Sequence, residues 1–184
     1  MICLYCGGAF GFDYLENNYY EKASKDYRAI LLGGADKLLQ KSSCEILRDN
    51  VLYTGPFYFE SDGMVDKDIV KEEVKMIKKC TNAVFLLDSG CCPGTIAELI
   101  LATKLGKDIS VFYIKKNDNE ETESTLHTPC WFPIIMSQLL SDKVNVVCCD
   151  DYLDAVNKIN CHIDSLDKKY KKYMKERKKY WDYL

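Results

Sequence analysis

The chain has no apolar run approaching the ~18–20 residues that a membrane-crossing helix needs. No charged-then-apolar leader opens it either. We therefore expect a protein made where it works, in the cytoplasm, with no membrane partner. Histidine is scarce: His127 and His162 are the two in 184 residues, and neither has a visible partner in the pattern, so neither is assigned a role. That scarcity bears on the ten cysteines. Cys3-x-x-Cys6 lacks a second knuckle or histidines at finger spacing, and Cys91-Cys92 and Cys148-Cys149 are adjacent pairs, so the pattern implies no metal site. Secreted disulfide scaffolds are usually shorter. Cys3, Cys6, Cys148 and Cys149 fall inside apolar strand-like runs, as small core residues do in a reducing compartment, and we expect all ten thiols to be reduced. Positive charge is short outside the C-terminus. Residues 168–184 carry a net +6, so a chain of net −3 has −9 elsewhere. An acidic body argues against specific nucleic-acid binding.

What is present is globular in proportion, 47% apolar and 29% charged, at one domain's length. Six apolar runs alternate with helical patterns. The expected strands are 2–6, 29–32, 51–54, 83–87, 109–114 and 144–148. The expected helices are 14–27, 37–48, 66–79, 95–105, 131–140 and one from about Asp151. Ile69, Val70, Val74 and Ile77 illustrate the 3- and 4-residue spacing. Strands apolar throughout and joined by helices predict an α/β fold: one doubly wound, Rossmann-like, mostly parallel sheet of about six strands. We divide the chain into a nucleotide-binding domain over 1–160 and a basic amphipathic C-terminal helix over 161–184. That helix is expected to pack on the body or on a second subunit. Lys115–Thr128 is polar and acidic and reads as a mobile loop.

Ligands bind such sheets outside the carboxyl ends of the strands. Glycines fall after expected strand ends at Gly7-Gly8, Gly33-Gly34, Gly55 and Gly90…Gly94. The most informative stretch runs from Leu86 to Leu99 and includes Asp88, Gly90, Gly94, Thr95 and Glu98. There a strand ends, a loop turns through glycines and a helix begins at Gly94-Thr95, where free N–H groups suit an anion or a sugar hydroxyl. Thr95 can cap the helix, and Glu98 lies about one turn in. Two readings of Glu98 stand at this point: a carboxylate at the mouth of a site, or the returning arm of a capping box. Tyr5 and Tyr53 are strand tyrosines that could hold a carboxylate by hydrogen bond.

Gly94-Thr95-Ile96-Ala97-Glu98 resembles the G-T-x-x-E motif shared by two related Rossmann-like groups, the LOG-type (lysine-decarboxylase-like) phosphoribohydrolases and the nucleoside 2-deoxyribosyltransferases. The LOG-like resemblance covers roughly residues 2–160. Cys3-Leu4-Tyr5-Cys6-Gly7-Gly8 is similar to that family's opening C-x-F-C-G-S strand. Leu31-Leu32-Gly33-Gly34-Ala35 falls where the family has its triple-glycine turn. The sequence departs from the family at the 88–95 loop, which is longer, at Asp36, whose charge would repel a phosphate, and at Glu73, which stands where the family has an arginine. An acid on that helix is what the transferases show, although Cys92 replaces their other acid.

The resemblance implies an enzyme that binds a nucleoside or nucleotide and cleaves its N-glycosidic bond without a cofactor. It implies Glu98 at the anomeric carbon and Glu73 as the acid serving the base, against the reading of Glu73 as part of a solvated helix face. The implied substrate-binding residues are Tyr5, Gly7, Gly8, Gly33, Gly34, Asp88, Gly90, Gly94 and Thr95. It also implies a homo-oligomer. A nucleoside 2-deoxyribosyltransferase and a non-catalytic nucleotide-sensing module of the same fold are the alternatives.

Overall fold

The structure, a computed structural model, describes residues 1–9, 17–40, 44–57, 66–88, 92–115, 128 and 130–181. In chain order the elements are β1 (Ile2–Gly7), α1 (Tyr19–Lys25), α2 (Tyr27–Leu32), α3 (Ala35–Leu39), β2 (Glu45–Arg48), β3 (Val51–Gly55), α4 (Asp66–Lys79), β4 (Asn82–Leu87), α5 (Pro93–Lys104), β5 (Asp108–Ile114), α6 (Trp131–Leu140), β6 (Val144–Cys149) and α7 (Tyr152–Trp181). One six-stranded sheet runs in the order β2-β3-β1-β4-β5-β6. Its strands are parallel except β2, which pairs antiparallel with β3 at the edge. This is the doubly wound α/β fold expected.

Period-two alternation divides the core between the two faces of the sheet. Leu4, Cys6, Val84 and Leu86 pack with residues of α1–α3 and α7, including Ala23, Leu32, Leu38, Ala155, Ile159 and Ile163. Tyr5, Ala83, Phe85 and Leu87 face the other way, onto Ile77 of α4, Leu99 and Ala102 of α5 and Ile134 of α6. Strands buried on both faces explain the unbroken apolar runs.

Two expected elements are corrected. The run Ala29–Leu32 is not a strand but most of α2. Asp26 accepts a 2.8 Å hydrogen bond from Arg28 N, which starts the helix, and Gly33 in the left-handed region (φ 80°) closes it. Gly33-Gly34 therefore joins two helices and does not follow a strand. The expected helix over 37–48 stops at Leu39, and Glu45–Arg48 forms β2. The edge of β3 recruits that segment, pairing Glu45 with Tyr53 and Ile46 with Leu52. The count of six strands thus stands, with one of the six in a different place. The expected helix over 14–27 is described from Tyr19 and breaks at Asp26, and most of the Lys115–Thr128 loop lies outside the described residues.

The helix α7 is continuous through residues 160 and 161. It docks by Ile159 and Ile163, by Arg48 on Asp164 (2.5 Å) and Asn160 (2.6 Å), and by Asp167 accepting from Asn50 N and Nδ2. Lys171 on Asp49 (2.9 Å) is its last described tie to the body, and residues 171–178 are exposed. Among the described residues no helix is long and apolar enough to cross a membrane. The expectation of ten reduced thiols is also corrected. Eight described cysteines are free, but Cys130, fully buried at the head of α6, is disulfide-bonded, and its partner lies outside the described residues.

Candidate active site

The chain leaves β1 toward α1–α3 on one face of the sheet and leaves the adjacent β4 toward α5 on the other. Diverging connections open a crevice between the carboxyl ends of neighbouring parallel strands, the usual ligand position in this architecture. Gly7 ends β1 there. A Cβ added to it would lie 2.4 Å from two Phe85 ring carbons and 3.0 Å from Glu98 Oε2. Only glycine lets the β1 backbone lie against Phe85 and under the Glu98 carboxylate. Gly8 is nearly as tight, with Tyr27 Cε1 at 3.2 Å and Leu86 O at 3.4 Å from the same construction.

Glu98 comes from α5, whose N-cap is Cys92 with no side-chain cap and whose first residue is Pro93. Proline suits that position because the missing N–H would have no helical partner. Thr95 is therefore the third residue of the helix and not its cap, and it is buried. Glu98 is the sixth, three residues beyond the position a capping box requires, so that reading of it falls. Burial, reinforced by the charge of Glu73, pushes the Glu98 carboxyl up to about 7, and Tyr5 and Arg28 pull the other way.

Glu73 sits on α4. The solvated-face reading of it fails: it is half-buried, burial raises its pKa, and its charge acts on both Glu98 and Tyr5. The neighbouring lysines instead hold other acids, Lys71 on Asp68 at 2.7 Å and Lys75 on Glu72 at 2.5 Å. Tyr5, fully buried, extends toward the two helices. Its hydroxyl makes no hydrogen bond of ordinary geometry, although it lies near enough to Glu98 for each to shift the other's ionisation. Tyr53 is differently committed, since its hydroxyl donates to the Pro56 carbonyl.

Three residues that sequence patterns did not single out hold this arrangement. Arg28 is fully buried and forms a two-armed ion pair with Asp26, Nε to Oδ1 at 2.8 Å and a terminal nitrogen to Oδ2 at 2.6 Å. It also donates to the carbonyls of Gly8 (2.9 Å) and Ala9 (3.0 Å), while the Tyr27 hydroxyl donates to Gly7 O at 2.8 Å. These bonds fix the backbone leaving β1. No local motif announces them, because donors and acceptors are about twenty residues apart in sequence.

The structure thus brings Tyr5, Gly7, Gly8, Glu73 and Glu98 together. Gly94 and Thr95 stand at the head of α5, and Asp88 is exposed at the end of β4, near enough to raise the Tyr152 phenol. Gly90 lies outside the described residues. Gly33 and Gly34 sit at the far end of α2, so the strand-end argument for them no longer applies. His162 is half-buried against Ser110 (3.2 Å) and Phe112 on the α7 side of the sheet. Among the described residues no group of three or more His, Cys, Asp or Glu side chains could hold a metal ion.

No protein-family model matches the chain. No curated protein matches it. Among solved structures it is similar to the CMP N-glycosidase BcmB of Clostridium botulinum, at 14% identity over 87% of this chain and 98% of that one, with a TM-score of 0.49.

Proposed function

We propose that this chain is an N-glycosidase that cleaves the base–sugar bond of a nucleoside or nucleotide. The observation that carries the reading is the nearness of Glu98 and Glu73, two half-buried carboxyls from α5 and α4 at the strand-end crevice, where burial raises both and the charge of Glu73 raises Glu98 further. Cleaving an N-glycosidic bond needs two such groups. One carboxylate stabilises, or attacks, the cationic anomeric carbon, and a protonated group supplies the proton as the electron pair departs with the base. Burial raises the Glu73 carboxyl, which favours its protonated form, and Glu98, raised to about 7, is ionised in a substantial fraction at neutral pH and increasingly above it. We assign Glu98 to the anomeric carbon and Glu73 to the departing base. Positive charge developing at the sugar favours ionised Glu98, while Tyr5 steadies it. Water then completes hydrolysis, giving free base and free sugar.

A deoxyribosyltransferase is the second reading. It is favoured by the half-buried acid, rather than an arginine, at Glu73. In that case a second base, not water, accepts the sugar. Incubation with a panel of nucleosides and 5′-monophosphates, scored for free base and reducing sugar, tests both readings. Free base with free sugar supports hydrolysis, and sugar passed to an added base supports transfer. Tight binding without turnover supports the sensing module and overturns both.

We also propose a homo-oligomer working in the cytoplasm. The exposed apolar side chains of α6 support the first. The second remains the expectation of the sequence, and the Cys130 disulfide counts against a reducing compartment.

A further inference from the structure

Among the described residues Arg28 is the only cation that is fully buried. A buried ion pair seldom adds stability over apolar residues of the same volume, so the charge needs a further reason. Asp26 takes the guanidinium by Nε at 2.8 Å and by a terminal nitrogen at 2.6 Å. The same group reaches the carbonyls of Gly8 at 2.9 Å and Ala9 at 3.0 Å. With the Tyr27 hydroxyl on Gly7 O at 2.8 Å, three consecutive carbonyls are held by two neighbouring side chains of α2. Glu98 Oε2 lies over Gly7, 3.0 Å from where a Cβ would stand, so the brace ends at the Glu98 carboxylate. The ion pair is also directional. Its cation bears on both Glu98 and Glu73 and pulls each toward its ionised form, whereas Asp26 bears on Cys6, Tyr27, Tyr53 and Tyr152.

We propose that Arg28 is a positioning residue of the site: it holds the end of β1 beneath Glu98 and supplies the buried positive charge that keeps that carboxyl able to ionise. The proposal rests on the glycosidase reading of Glu98 and deepens it. Burial and the Glu73 charge from α4 both disfavour the carboxylate that the anomeric carbon requires. The groups that favour it are the Tyr5 hydroxyl from β1 and Arg28 from α2. Tyr53 from β3 also lies within electrostatic reach, as a neutral phenol. A guanidinium does not lose its proton in a protein, so this positive charge is constant across the working pH range. Inside the protein it is little screened by salt. Arg28 acts through the backbone of Gly7–Ala9 and through its field.

The test separates charge from scaffolding. Arg28→Met alone strands Asp26, so the variant used is Asp26→Asn with Arg28→Gln. It removes both charges, keeps an amide donor on α2 and keeps a cap for that helix. Asp26→Asn with Arg28→Met is the second neutral pair. Two readouts are taken: the pH profile of kcat/KM for nucleoside cleavage, and the titration of the Glu98 carboxyl by infrared difference spectroscopy, its band identified by its loss in Glu98→Gln. The neutral pair should move the Glu98 midpoint from about 7 to about 8 and lower kcat/KM at pH 7 by about 5-fold or more, with recovery as pH rises. Arg28→Lys keeps a cation without the fork and should hold the midpoint near 7. Ile163→Ala, a cavity in the buried packing of α7, controls for lost stability alone: it should melt lower with the midpoint unmoved. Neutral pairs that melt lower but keep the wild-type midpoint overturn the proposal and leave the glycosidase reading intact. A midpoint raised as far by Arg28→Lys as by the neutral pairs overturns the role of the charge. If the wild type releases no base from any nucleoside, the glycosidase reading fails, and the infrared titration still decides whether Arg28 sets the ionisation of Glu98.

Discussion

At Glu98 the surroundings disfavour charge. A carboxyl raised to about 7 in the folded chain and ionising near its usual value in the unfolded chain weakens folding as pH rises. The cost is absent in acid, where both states are protonated, and complete above about 7, where it amounts to about 3 kcal/mol. Glu98→Gln should therefore melt above the wild type at pH 8, with the gap narrowing toward pH 5. A melting point lowered at pH 8 would contradict the account. The same group sets the pH profile: if catalysis needs ionised Glu98, kcat/KM rises as pH climbs through about 7, where that carboxyl loses its proton. A rate already at its plateau at about pH 5 would mean that the Glu98 charge is not required. Glu98 and Tyr5 were legible in the sequence because a strand–glycine–helix pattern frames them. Arg28 was not, because its partners are backbone carbonyls about twenty residues away.

At the scale of elements, α4 and α6 have the boundaries their periodicity predicts, since an amphipathic run of ten or more residues has few other ways to bury one face. The short elements were not legible. Four to six apolar residues suit a strand or a turn and a half of helix, and the choice falls to tertiary partners: the Asp26 cap for α2, the free edge of β3 for β2. The cap has a consequence. Arg28→Met leaves Asp26 buried without its partner and frees the Gly8 and Ala9 carbonyls, so we expect a loss of about 3–5 kcal/mol in a urea titration. A loss below about 1 kcal/mol would show that the pair does not hold the loop. In α7 the docked and exposed parts separate at Lys171. Truncation after Lys171 should leave the melting temperature unchanged. Truncation after Cys161 removes buried Ile163 together with Asp164 and Asp167, and should lower it by about 5–10 °C. Equal melting of the two truncated chains would refute this division.

For the whole molecule, the doubly wound, mostly parallel sheet was implicit in the strand–helix alternation, but its strand order and the antiparallel β2 at its edge were not. Among the described residues, the outer face of α6 is a clear departure from a polar surface: Trp131, Phe132, Met136, Leu139 and Leu140 are all exposed, Leu139 by 83%. A cluster of this kind is unusual on a monomer. The chain should sediment as a dimer or larger assembly, and Phe132→Lys with Leu139→Lys should reduce it to a folded monomer. A wild-type protein that sediments as a monomer at micromolar concentration contradicts the proposed assembly.

The central claim is that the Glu98 carboxylate acts at the anomeric carbon. Its most direct test is the single-turnover rate of base release by Glu98→Gln, measured on the best nucleoside substrate, with binding of that substrate followed on the same protein. The account predicts a rate at least ~100-fold below wild type with binding largely retained. A folded Glu98→Gln protein that releases base at the wild-type rate would contradict it.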